Sequence, residues 1–103
     1  MWCVVTEHEL KTVPTAFQAV WDGIKTFEFR KNDRDFQVGD TLDLREFNPT
    51  TNRGEESGYT GRRVRVRVTY ILEGRFAVPM GYCVMSIAPM QGKHPYALEK
   101  ERQ

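Results

Sequence analysis

Arg62-Arg63-Val64-Arg65-Val66-Arg67-Val68-Thr69-Tyr70-Ile71-Leu72 alternates arginine with valine from Arg63 to Val68, a period of two that specifies a β-strand with one apolar and one charged face. Continued parity predicts Tyr70 and Leu72 on the core side with the valines, and Thr69 and Ile71 outside with Arg63, Arg65 and Arg67. The row of three arginines fits two roles: a face that follows a phosphate backbone, or a solvated outer face that discourages edge pairing. On one side of this strand, Thr41 to Phe47 reads as a second strand with Leu42, Leu44 and Glu46 on its inner face, entered through a turn over Phe36 to Asp40. On the other side, Tyr82 to Ala88 reads as a last strand with Cys83, Met85 and Ile87 on one face, after a connection punctuated by Gly74, Pro79 and Gly81. The stretch 48–61, with Pro49, Gly54 and Gly58, reads as a long hairpin loop, either a lid or a plain surface connection.

Towards the N-terminus, the apolar run Trp2 to Val5 and the alternation His8-Glu9-Leu10-Lys11 both fit strands. Val13-Pro14-Thr15 then opens a short helix, with proline tolerated in the first turn and Thr15 and Gln18 spaced as a capping box. Phe17, Val20 and Trp21 give it an apolar stripe, and Gly23 stands where a helix ends in the left-handed conformation. The next run, Lys25-Thr26-Phe27-Glu28-Phe29-Arg30-Lys31-Asn32-Asp33-Arg34, reads as a strand whose alternation sends Phe27 and Phe29 into the core. Thr26, Glu28 and Arg30 then share the opposite face. Lys25, Arg30, Lys31 and Arg34 suit an anionic ligand, while Glu28 and Asp33 can orient those cations or accept from a base or an amine. The same face also fits a solvated strand carrying an ion pair.

The 103 residues, 40% of them hydrophobic, suit one small domain with a modest core, assigned to residues 1–88 and followed by a polar tail over 89–103. A net charge of +1 supplies no global field towards nucleic acid or membrane, so any anion site comes from local clustering. Cys3 and Cys83 fall in segments that read as buried strands, and no leader peptide suggests an oxidising compartment, so two thiols in a cytoplasmic protein are expected. No apolar run reaches membrane-spanning length. His8, His94, Cys3 and Cys83 lack metal-ligand spacing, a glycine-rich phosphate loop is absent, and neither Ser57 nor Ser86 sits in a nucleophile elbow. Neither metal nor cofactor is implied, and a monomer is expected. Any catalysis would fall to Lys, Glu, Asp or Tyr.

The segments His8 to Lys11, Phe17 to Gly23, Lys25 to Asp40, Gly61 to Leu72 and Gly81 to Ile87 resemble the small DUF3850 proteins of bacteria and bacteriophages. That family is similar to ASCH domains, a branch of the PUA-like superfamily regarded as RNA-interaction modules. Their Gly-x-Lys-x-x-x-x-Arg-like mark matches Gly23, Lys25 and Arg30. The resemblance implies an α+β domain: a small mixed β-barrel of PUA-like, ASCH type with short flanking helices. It also implies a cleft beside the barrel walled by Lys25, Thr26, Glu28 and Arg30. RNA or a nucleotide-like ligand is the implied partner. Lys11, Arg34 and Tyr70 join the candidate binding residues, with Tyr70 or Tyr82 available to stack on a base. Some ASCH proteins are amidohydrolases that deacylate a modified cytidine with a lysine, a threonine and a glutamate. Lys25 matches that lysine, Glu28 stands at the threonine position, and no counterpart of their glutamate-bearing insertion lies between Leu72 and Tyr82. Lys25 and Glu28 are therefore the catalytic candidates of a hydrolase alternative on a nucleoside such as N4-acylated cytidine, and a protein-interaction module is the third reading.

Overall fold

The computed structural model describes residues 5–50, 58–75 and 77–90. Among them run β1 (Glu7–Thr12), α1 (Pro14–Trp21), β2 (Phe27–Lys31), β3 (Thr41–Phe47), β4 (Tyr59–Glu73) and β5 (Tyr82–Pro89). Five strands form one curled sheet in the order β1-β3-β4-β5-β2, with β1 parallel to β3 and every other neighbour antiparallel. The result is a mostly-β half-barrel with one short helix among the described residues, consistent with the small mixed barrel expected.

The core follows the alternation of the central strands. Val64, Val66 and Val68 of β4 face inward with Leu42 and Leu44 of β3, Leu10 of β1, and Cys83, Met85 and Ile87 of β5. Helix α1 adds Phe17 and Val20, with Trp21 packed beside them. Burying Phe17 completely contributes about 2–3 kcal/mol by area. Pro14 occupies the first turn, where its missing N–H costs nothing, but Val13 is the cap and no side chain caps it. The expected Thr15–Gln18 capping box does not form, and the Gln18 amide instead donates to Asp22 at 3.0 Å. Gly23 ends the helix with φ 76°. Arg62 pins the helix to the sheet: it stacks over the Phe17 and Trp21 rings at 4.9 and 5.3 Å and donates to Gln18 at 3.0 Å. Its Nε also donates to the buried Glu46 at 3.0 Å. That guanidinium holds the Glu46 carboxyl below its ordinary value of 4.5 against the opposing effect of burial, and the same bond raises Arg62.

Two parity expectations are corrected. In β2 it is Glu28 that is buried, at 2% exposure, while Phe27 and Phe29 are 47% and 52% exposed. In β4, Val68 pairs with Ile87 and Tyr70 with Ser86, so Thr69 is an extra residue that shifts the register, turns Tyr70 outward to 62% exposure with Leu72 in the same row, and packs Ile71 against the core instead. The loop expected over 48–61 gives way to β4 from Tyr59, and 51–57 lie outside the described residues. Pro89 still belongs to β5. The tail from 91, Cys3, His94 and most of the apolar run Trp2 to Val5 also lie outside them.

Candidate functional site

Strands β1 and β2 are the two ends of the sheet, and no strand pairing among the described residues joins them. Arginine side chains cross the seam instead. Arg30 Nη2 donates to the Lys11 carbonyl at 3.0 Å and to Thr12 Oγ1 at 3.2 Å, and Arg34 Nη1 donates to the Glu9 carbonyl at 2.9 Å. Glu9 and Lys11 are two apart on β1, so their carbonyls point the same way along the exposed edge. The arginines satisfy acceptors that a sixth strand would otherwise take.

Beside this seam lies a cleft of about 280 Å³, lined by Lys11 and Thr12 of β1, the cap residue Val13, Ala16 of α1, and by Lys25, Phe27, Glu28, Phe29 and Arg30. Glu28 is its buried centre. One carboxylate oxygen accepts from Lys25 Nζ at 2.6 Å and the other from Arg30 Nε at 2.9 Å. Burying a carboxylate is tolerable when cations and hydrogen bonds satisfy it. Lys25 Nζ also donates to the Phe27 carbonyl at 2.6 Å and stands 4.8 Å over the Phe27 ring. An ammonium has three protons, so two bonds leave Lys25 one donor. Arg30 Nη1 makes no hydrogen bond to the described residues. Both cations retain about a fifth to a quarter of their side-chain exposure, at 20% and 25%. The cleft thus offers cationic donors already aligned by a buried anion, rimmed by two aromatic rings.

The structure gathers four of the expected binding residues here: Lys11, Lys25, Glu28 and Arg30. Thr26 is exposed, and its carbonyl accepts from Ile87 at 3.0 Å, which fastens β2 to β5. Arg34 serves the seam, and Tyr70 lies on the outer face of β4. The sequence reading missed Thr12, Val13, Ala16 and the exposed sides of Phe27 and Phe29. Thr12 ends β1 immediately before the Val13-Pro14 helix start, which is a visible signal that the chain turns there.

Two of the three arginines in the β4 row are occupied by neighbours, while Arg67 is exposed and makes no ion pair with the described residues. Arg63 pairs with the fully buried Asp43 through Nε at 3.0 Å and through a second, shorter contact from Nη2, and lies 3.6 Å from Glu9. Arg65 pairs with Glu7 at 3.1 Å. The Asp43 bond raises Arg63 above its ordinary value. This half of the outer face is a quilt of matched charges.

Among the described residues no group of three or more His, Cys, Asp or Glu could hold a metal ion, and no helix is long and apolar enough to cross a membrane. An uncharacterised 12.9 kDa protein encoded in the GpA 3′ region of Escherichia phage P2 is 38% identical over 66 residues, which cover 64% of this chain. The chain spans about half, 54%, of that protein's length. A family model described as a domain of unknown function, DUF3850, matches residues 7–87, from the start of β1 almost to the end of β5, and the chain belongs to the DUF3850 family.

Proposed function

We propose that the seam cleft recognises RNA or a nucleotide-like ligand, within a half-barrel that resembles the PUA-like, ASCH-type fold. The observation that carries this reading is the buried Glu28 carboxylate holding Lys25 and Arg30 side by side at the cleft. Their remaining donors suit a phosphate or a base carbonyl, and the Phe27 and Phe29 rings supply π-faces for a base. A volume of about 280 Å³ suits one nucleotide unit more than a duplex. Arg63 and Arg65 of β4, each paired with a carboxylate, offer a phosphate backbone little beyond the cleft.

The test is titration calorimetry with cytidine 5′-monophosphate at two salt concentrations. Binding that weakens with salt, and weakens at least tenfold in Lys25→Ala, supports the reading. Binding that ignores both salt and Lys25 removes it.

One observation favours a second reading, hydrolysis of an acylated nucleoside: Thr12, Lys25 and Glu28 all line the cleft, which brings a hydroxyl, an amine and a carboxylate together. Repeated turnover of N4-acetylcytidine to cytidine, abolished by Lys25→Ala in a folded protein, would establish it in place of simple recognition.

A further inference from the structure

The outer face of the sheet changes character along β4. Around Arg63 and Arg65 it is the matched-charge quilt. Beyond the Thr69 bulge it becomes aromatic and uncharged. Register aligns Tyr70 with Ser86 and Ser86 with Phe27, then Leu72 with Val84 and Val84 with Phe29. The result is a two-row floor of Ser86 and Val84 on β5, flanked by rings on β2 and by Tyr70 and Leu72 on β4. Tyr82 closes its end, 40% exposed and edge-on to Phe29 at 5.8 Å. Exposed aromatics clustered on one face of a small domain mark an interaction surface.

The position and rim of this face select its occupant. Phe27 and Phe29 belong both to this face and to the lining of the cleft, because β2 is the end strand of the sheet beside the seam. Lys25 and the exposed Lys31 flank the ring pair, and none of the positions in the two rows is acidic. Side chains two apart on a strand stand roughly 6.6 Å apart, and those across two strand spacings stand roughly 9.5 Å apart. The small Ser86 stands between Tyr70 and Phe27 and leaves the floor between them low.

We propose that this face is a stacking platform for single-stranded RNA, whose bases lie on Phe29, Phe27 and Tyr70 while an adjacent nucleotide occupies the cleft. The proposal rests on the nucleotide reading of that cleft and extends it from one nucleotide to a strand.

The test compares wild type with a Tyr70→Ala, Tyr82→Ala double variant, both positions being exposed and outside the cleft. Fluorescein-labelled hexauridylate is followed by anisotropy, cytidine 5′-monophosphate by calorimetry and self-association by sedimentation. The platform predicts hexauridylate affinity falling roughly tenfold or more in the double variant, with the mononucleotide within twofold of wild type. Unchanged hexauridylate affinity overturns the platform and leaves the cleft reading standing. Equal binding of hexathymidylate overturns the assignment to RNA. A dimer of wild type that the double variant loses assigns the face to a second copy of the chain instead. Hexauridylate bound through these tyrosines with no mononucleotide binding removes the cleft reading and overturns the proposal that joins the two, and failure of both ligands to bind wild type removes both.

Discussion

The Arg30 guanidinium on β2 donates to the Lys11 carbonyl on β1 at 3.0 Å, joining the two ends of the sheet through a side chain. The same guanidinium orients Glu28, so seam and cleft share one residue. Arg30→Met removes donations to Lys11, Thr12 and Glu28 together. The expected cost is about 2–3 kcal/mol in denaturant unfolding, since charged hydrogen bonds are lost and a buried carboxylate keeps one cation. Arg30→Lys restores little, because an ammonium cannot span both sides of the seam. A loss under about 0.5 kcal/mol, the range of ordinary surface changes, contradicts the seam's role.

Acid unfolding reports on Glu46. Its carboxyl titrates lower in the folded state than in the unfolded chain, chiefly through the Arg62 bond. The stabilisation it contributes is therefore present above the ordinary value of 4.5 and is lost as pH falls through the lower folded-state value. Arg62→Met should reduce stability at pH 7 and flatten the decline of stability below about pH 4.5, as read from urea midpoints against pH. An unchanged acid limb would exclude this pair as a contributor.

Arginines that look equivalent in the Arg-Val alternation should behave differently. Arg63→Gln strips a fully buried Asp43 of its charged partner and should cost about 2–3 kcal/mol, whereas Arg65→Gln, on a half-exposed pair with Glu7, should cost within about 0.5 kcal/mol. Equal effects in thermal melts would mean that Asp43 does not depend on Arg63.

Cys83 is fully buried, and burial followed by the nearby Glu73 pushes its thiol up. Alkylation by iodoacetamide at pH 8, followed peptide by peptide in mass spectra, should be slow at Cys83 in the folded protein and fast in urea. Rapid labelling without denaturant would contradict its placement.

The sequence carried the central strands because their apolar alternation is continuous. Val64, Val66 and Val68 against Leu42 and Leu44 need no tertiary information. Lys25, Glu28 and Arg30 were legible as a group because they crowd a short run after a helix stop. Which way they faced was not. Period-two reasoning sends phenylalanine inward, but β2 closes a seam whose inner side holds a neutralised carboxylate, and the rings go out. Tyr70 was misplaced by the Thr69 bulge, which flips parity without a glycine or proline to announce it. Thr12, Val13 and Ala16 reach the cleft only through the curl of the sheet, which depends on pairings far apart in sequence.

The most direct measurement is an NMR titration of the isotopically labelled protein with cytidine 5′-monophosphate, observing backbone amides and the Arg30 Nε–H. Recognition at the cleft should give saturable shifts concentrated at Lys11, Thr12, Lys25, Phe27, Glu28 and Arg30, with the Arg30 Nε–H among the largest and Glu7, Asp43 and Arg65 unmoved. Shifts centred on the β1–β3–β4 charge quilt, or none at millimolar ligand, would contradict it.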